Sequence, residues 1–169
     1  MEKKVKSKKK VALVAHDNMK SDLAAWVDWN SEVLSSHALI CTGTTGKVVE
    51  KTIINRQIDL KHQSGVMTTP FVPLDITLLK SGPLGGDQQL GSLIADNQIS
   101  ALIFFWDPMS AQPHDVDVKA LLRLATLYNV PTAINRSSAD YLISSPLFSD
   151  DEYTPDVKDY KAYIERIVK

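Results

Sequence analysis

The segment SGPLGGDQQ, residues 81–89, places one carboxylate directly after a pair of glycines. Gly85 and Gly86 allow the backbone to turn where a Cβ would clash, and their amides can face a bound oxyanion. Asp87 follows at the predicted start of a helix, since apolar residues recur after it at helical spacing. A carboxylate beside an anion cradle is unfavourable for binding alone, because like charges repel. The segment therefore predicts a carboxylate that removes a proton from an anionic substrate.

The segment TGTTG, residues 42–46, is a candidate phosphate loop. Its glycines free the backbone, and the hydroxyls of Thr42, Thr44 and Thr45 can donate hydrogen bonds. It opens a predicted helix, whose N-terminus adds unpaired amides and a favourable dipole. A threonine N-cap, with Gly43 for the turn, explains the same residues, so this segment alone does not distinguish the two interpretations.

Polar residues also follow the other predicted strands. Ligands bind outside the carboxyl ends of the strands in open parallel sheets, so these residues are expected to meet segment 81–89 at one edge. The candidates are His16, Asp17, Lys20, Asp107, His114 and Asp117, together with Ser81 and Gly82 from the segment itself. Their convergence is a stronger indication of a site than any one of them.

Each candidate also has an ordinary structural explanation. Asp17 could cap the next helix, Asp107 could close a turn, and Asp117 suits the first turn of a helix. Lys20 could neutralise a phosphate or be a solvated surface group. His114 could be a neutral hydrogen-bond donor or a loop histidine in water.

Short apolar runs alternate with amphipathic stretches along the chain. The predicted strands are 11–15, 38–42, 75–79, 101–106 and 131–135, and the predicted helices are 23–34, 46–54, 87–96, 116–128, 139–144 and 155–168. Strands that are apolar throughout and alternate with helices indicate a parallel sheet covered on both faces. The predicted fold class is therefore α/β, a three-layer α/β/α sandwich.

Composition narrows the classes of partner and compartment. A length of 169 residues is enough for one domain, and a net charge of −1 provides no field to gather nucleic acid or an anionic membrane. Residues 1–10 are lysine-rich and are expected to form a disordered tail. The single cysteine, Cys41, suits a reducing compartment, so a cytoplasmic location is expected. There is no zinc-like Cys/His spacing and no apolar run of transmembrane length.

One connection interrupts the alternation of strands and helices. Residues 53–79 contain a histidine, glycine, threonines and prolines, with only 75–79 resembling a strand. A connection of this length is usually a functional lid or a disordered insertion, and both interpretations stay open. The predicted organisation is a tail, 1–10, followed by a single domain, 11–169, with an insertion at about 53–79.

The motifs together resemble the methylglyoxal synthase family. Five segments match that family in order, namely VALVAHDNMK, CTGTTGKVVE, SGPLGGDQQLGSLI, ALIFFWDPMSAQPHDVDVKALLRLAT and NRSSADYLISSP. The resemblance covers nearly the whole chain from Val11, and it is most specific at FFWDP followed by PHDVDVKALLRLA. Two regions depart from the family, namely the lysine-rich start and the longer connection before residue 81.

This resemblance implies both an activity and residue roles. The family converts dihydroxyacetone phosphate to methylglyoxal and inorganic phosphate without cofactor or metal, through an enediolate, as a bypass of glycolysis. It implies a five-stranded parallel sheet, a homohexamer and inhibition by inorganic phosphate. Asp87 is then the base, and Asp17, Asp107 and Asp117 are supporting carboxylates. The implied substrate-binding residues are His16, Lys20, Thr42, Gly43, Thr44, Thr45, Ser81, Gly82 and His114.

Two other functions remain open from the sequence. The same type of domain resembles the regulatory end of carbamoyl phosphate synthetase, which suggests a non-catalytic module that binds phosphate or an effector. Such a module should lack the full acidic set found here. A triose-phosphate isomerase activity, with elimination only as a leak, is distinguished by its product, glyceraldehyde 3-phosphate.

Overall fold

The central element is a sheet of five parallel strands in the order β3-β2-β1-β4-β5. The computed structural model describes residues 8–64, 72–111 and 113–166. Its strands are β1 (Lys10–Ala15), β2 (Ala38–Thr42), β3 (Asp75–Leu79), β4 (Ala101–Phe105) and β5 (Thr132–Ala133). Its α-helices are α1 (Lys20–Trp29), α2 (Ser31–Ser35), α3 (Gly43–Ser64), α4 (Gly86–Ala95), α5 (Asp115–Leu127), α6 (Arg136–Ser144), α7 (Pro146–Ser149) and α8 (Lys161–Ile164). The predicted α/β class and parallel sheet are confirmed.

Alternation along β1 explains the layers on both sides of the sheet. Val11 and Leu13 belong to an apolar cluster shared with helices α1, α3 and α6, whereas Ala12 and Val14 belong to a second cluster shared with α4 and α5. Successive residues of a strand point to opposite faces of the sheet, and helices cover both faces, so all four side chains are buried. Within the described ranges, no helix is long and apolar enough to cross a membrane.

Helix α3 differs most from its prediction. It begins at Gly43 rather than near residue 46, so residues 43–46 of TGTTG form its first turn, and it continues to Ser64 instead of ending at residue 54. The part of the 53–79 connection up to Ser64 is therefore helical, while residues 65–71 lie outside the described residues. Strand β3 coincides with the predicted 75–79. Polar residues dominate the second half of α3, which is why its apolar periodicity fades although the backbone remains helical.

The predicted helix 155–168 is largely wrong. Only Lys161–Ile164 is helical, and residues after 166 lie outside the described part of the chain. Side chains of the expected apolar face, such as Val157 and Ile164, are exposed. An amphipathic pattern gives a stable helix only when that face packs against a neighbour. Smaller differences are the division of 23–34 into α1 and α2, and the longer start of α6.

Candidate active site

Most of the predicted polar residues meet in one cavity of about 300 Å³ at the carboxyl edge of the sheet. The chain reaches this edge at the ends of β1 and β2, in the loop after β3, and at the start of α5. The predicted residues that line the cavity are His16, Asp17, Lys20, Thr42, Gly43, Thr44, Thr45, Ser81, Gly82, Asp87 and His114. Asp107 and Asp117 do not line it. Sequence reasoning did not single out the apolar lining of Val14, Ala15, Pro83 and Phe104.

Asp87 lies in the first turn of α4 and is 4% exposed. Burial raises the pKa of Asp87 above its ordinary value. His114 and His16 oppose this rise in pKa, whereas the nearby carboxylate of Asp117 adds to it. Oδ2 of Asp87 is buried and has no hydrogen-bond partner among the described residues. The result is a basic carboxylate with an oxygen free for a ligand in the cavity.

His114 faces this carboxylate from the N-terminus of α5. Its Nε2 lies 3.5 Å from Oδ2 of Asp87. Gly82, in the loop after β3, lies very close to this pair. A Cβ added to Gly82 would lie 2.6 Å from Nε2 of His114 and 2.9 Å from Oδ2 of Asp87. Only glycine permits this approach of the backbone. The contact brings the Ser81–Gly82 peptide beside both titratable groups.

His16 is held in one tautomer by a backbone amide. The N–H of Asp107 donates to Nδ1 of His16 at 3.1 Å, so the neutral ring carries its proton on Nε2. Nε2 is buried and has no hydrogen-bond partner in the described ranges. The ring packs edge-on to Phe104, with a centroid distance of 5.1 Å, and burial lowers the pKa of His16. The geometry favours a neutral imidazole with an N–H available to a ligand.

Asp107 does not line the cavity, but it stabilises a turn next to it. Its Oδ2 accepts a hydrogen bond from Nδ2 of Asn18 at 3.0 Å, and its Oδ1 accepts one from the N–H of Met109 at 2.9 Å. These bonds hold the pKa of Asp107 below its ordinary value. The carboxylate therefore fixes the turn whose amide orients His16. The sequence places Asn18 among the polar residues that follow the first strand, but nothing in its type or spacing indicates this partner.

Lys20 connects two of the segments that line the cavity. Its Nζ bonds to Oδ1 of Asp17 and Oγ1 of Thr44, which links the turn after β1 to the first turn of α3. Asp17 is largely exposed, and its hydrogen bond with Lys20 lowers the pKa of Asp17. Asp17 is therefore an orienting partner of Lys20 in this structure. The alternative interpretation of Asp17 as a helix cap is wrong, because α1 begins after Met19 with no side-chain cap.

The first turn of α3 is tied to neighbouring elements. Gly43 has a positive φ of 43°, and its N–H donates to the carbonyl of Lys80 at 3.0 Å. Oγ1 of Thr45 donates to the carbonyl of Ala15 at 3.3 Å. The amides of Thr44 and Thr45 have no carbonyl one turn earlier in the helix to accept from them. This turn presents a helix N-terminus beside the Lys20 ammonium, which is a suitable environment for a phosphate.

Comparisons with known proteins agree over most of the chain. A family model described as "MGS-like domain" matches residues 22–134. Methylglyoxal synthase of Maridesulfovibrio salexigens is 54% identical, covering 94% of this chain and 96% of its own. The chain belongs to the methylglyoxal synthase family. The predicted family and the enzyme class, a lyase, are therefore confirmed.

Two further members of the methylglyoxal synthase family support this assignment. Methylglyoxal synthase of Proteus mirabilis is 49% identical, over 96% of this chain and 94% of its own. A crystal structure of methylglyoxal synthase from Elizabethkingia anophelis NUHP1 superimposes with a TM-score of 0.76. That structure is 44% identical in sequence and covers 96% of this chain and 93% of its own. The match therefore extends to fold as well as sequence.

Proposed function

We propose that the protein converts dihydroxyacetone phosphate to methylglyoxal and inorganic phosphate, with Asp87 as the base. The observation that carries this proposal is the buried, unpartnered Oδ2 of Asp87 beside His114 and Gly82. Asp87 takes a proton from the carbon next to the substrate carbonyl, and an enediolate forms. This carbon acid is weak, so the transfer requires a base with a raised pKa and preorganised donors for the developing oxyanion.

His114 and His16 are the proposed donors to that oxyanion. Nε2 of His16 carries a proton and is buried without a partner in the described ranges, so it can donate without first losing another bond. His114 lies next to the base, within the same small cavity. Donors held in a site with little water act more strongly than the same groups in bulk solvent, because they need no reorganisation as charge develops. Asp107 supports His16, and Asp117 raises the pKa of the base.

The proposed phosphate site is formed by residues near the ends of β1 and β2 and from the loop after β3. They are Lys20, Thr42, Gly43, Thr44, Thr45, Ser81 and Gly82. Support comes from the ammonium of Lys20 and the open amides in the first turn of α3. Elimination requires the carbon–oxygen bond to phosphate to stand perpendicular to the enediolate plane, where it overlaps the π system. We therefore place the phosphate out of that plane, where the same groups stabilise it as it leaves. Cleavage of this bond yields inorganic phosphate and the enol of methylglyoxal, which becomes methylglyoxal as its terminal carbon gains a proton and its hydroxyl loses one.

The test is to incubate the purified protein with dihydroxyacetone phosphate, a chelator and a methylglyoxal trap in one tube. Equal amounts of phosphate and trapped methylglyoxal are expected. Glyceraldehyde 3-phosphate as the main product would indicate the isomerase instead. Phosphate binding without any product would indicate the effector-binding module and would contradict the proposed function.

Assembly, regulation and location follow as further proposals from family membership. We propose a cytoplasmic homohexamer that is inhibited by inorganic phosphate and that bypasses part of glycolysis. Light scattering coupled to gel filtration checks the assembly, and a mass near that of one chain, 18.7 kDa, would contradict it. Titration of turnover with phosphate checks the inhibition.

A further inference from the structure

We propose that Gln89 is a positioning residue that sets the distance between the phosphate-binding turn and the base. Its Oε1 accepts a hydrogen bond from the backbone N–H of Lys80 at 2.8 Å. Gln89 lies in the first turns of α4, two positions after Asp87. The bond therefore attaches the helix that carries the base to the end of β3. This inference rests on the proposed function.

Gln89 holds the Leu79–Lys80 peptide, and the two peptides that follow it are hydrogen-bonded to the starts of α3 and α4. The carbonyl of Lys80 accepts from the N–H of Gly43, in the first turn of α3, at 3.0 Å. The carbonyl of Ser81, the next residue, accepts from the N–H of Gly86 at 2.9 Å. Oε1 of Gln89 thus begins a short chain of hydrogen bonds that runs through Lys80 to the start of α3.

Close packing leaves little space for this junction to adjust. An added Cβ at Gly86 would lie 2.0 Å from the carbonyl oxygen of Lys80, and one at Gly43 would lie 2.7 Å from Cα of Ser81. The Lys80–Ser81 peptide is therefore held between the first turns of α3 and α4. The side-chain bond from Gln89 is the exposed part of this arrangement, where water can replace the lost acceptor.

These facts predict an effect on catalysis that is larger than the effect on folding. Without the Gln89 acceptor, the amide of Lys80 bonds to water and the fold is retained. The relative placement of Gly43 and Asp87 is then less well defined. Since a shift of about 1 Å between reacting groups can reduce a rate about 10²-fold, a partial shift is expected to lower kcat about tenfold. KM should change little, because the phosphate site itself keeps its groups.

The experiment compares three variants of the whole chain with the wild type. Gln89→Met removes the acceptor and keeps the length of the side chain, whereas Gln89→Glu keeps an oxygen acceptor. Gln88→Met is the matched control, because its exposed neighbouring side chain makes no hydrogen bond in the described ranges. We expect kcat to fall about tenfold in Gln89→Met, with KM within about threefold, and to stay within about threefold of wild type in the other two.

Three results would overturn the proposal. Unchanged kcat in Gln89→Met would show that the bond does not position the base. Equal losses in Gln89→Met and Gln89→Glu would show that the acceptor is not what matters. A large fall in Tm that parallels the loss of kcat would make Gln89 a folding residue. Failure of the proposed function is separate, since it appears as a wild-type protein without turnover.

Discussion

The two sides of the cavity differ in how their polar groups are satisfied. Asp87, His114 and His16, here called the proton-transfer side, each have a buried polar atom without a partner in the described ranges. The other side, here called the phosphate side, contains Lys20 and Thr44. The ammonium of Lys20 donates hydrogen bonds to Thr44 and to the exposed carboxylate of Asp17. Buried groups left unpaired destabilise a fold, whereas exposed pairs exchange partners with little change in free energy. Buried polar atoms without partners are therefore concentrated where the proposed proton transfer occurs.

The largest effect should come from Asp87→Asn, which removes the base and keeps the size of the side chain. Turnover should fall by about 10³-fold or more, near the upper limit for general base catalysis. Binding of inorganic phosphate should stay within a few-fold, because the phosphate side is intact. Steady-state kinetics and calorimetric titration measure the two quantities. Near-normal turnover would exclude Asp87 as the base.

Gly82→Ala should reduce turnover by about 10²-fold, because the new methyl group would displace His114 and Asp87. Phosphate binding should weaken less than turnover does. Gly91→Ala is the control, since its Cβ would meet only a terminal methyl group of Leu124 at 3.0 Å. Similar losses in both variants would indicate a general loss of packing rather than a specific contact at the proton-transfer side.

His114→Gln should reduce turnover by about 10-fold to 10²-fold, less than the loss of Asp87, because the amide still donates a hydrogen bond to the oxyanion. The ratio of kcat values for the two variants, measured under one set of conditions, checks this order. A loss equal to that of Asp87→Asn would mean that His114 also moves protons.

Lys20→Met should act mainly on KM, because it removes the charged partner of the phosphate from the phosphate side. We expect KM to rise about 10-fold to 10²-fold, the usual worth of a hydrogen bond to a charged group. Asp17→Asn should raise KM by less, since Lys20 keeps its contact with Thr44. A fall in kcat without change in KM would contradict the division into two sides.

The smallest effect is on stability and depends on pH. Since the pKa of Asp87 is raised in the folded state, the folded protein binds this proton more tightly than the unfolded chain does, and ionisation of Asp87 destabilises the fold. This destabilisation is absent below the ordinary carboxyl pKa and complete above the raised value. Asp87→Asn should therefore have a higher Tm at neutral pH.

The gain in Tm should shrink as the pH falls through the raised pKa toward its ordinary value, because both side chains are then neutral. Wild-type turnover should decline over the same range as the base is protonated. Thermal melts of both proteins across pH provide the measurement. A gain in Tm that is independent of pH would show that the charge of Asp87 is not its cause.

Much of the fold could be predicted from sequence because its signals are local. The apolar runs of β1, β2 and β4 and the periodicity of α4 and α5 needed no knowledge of partners. The ends of α3 and the C-terminal segment could not be predicted in the same way. A polar helix such as the second half of α3 carries little periodic signal. Residues 155–160 have helical periodicity, but most of their side chains are exposed and they form no helix.

The sequence by itself determined which residues reach the carboxyl edge of the sheet, since apolar runs that alternate with helices indicate strands running in parallel. It identified Asp87, His114 and the TGTTG turn as neighbours in one site. Only the tertiary structure decided their contacts: the approach of Gly82 to His114, the amide of Asp107 on His16, and the bond from Lys80 to Gln89. His16 and Asp107 are 91 residues apart in sequence, and their contact depends on the register of β1 against β4. Distances of this kind are set by packing, which no local pattern encodes.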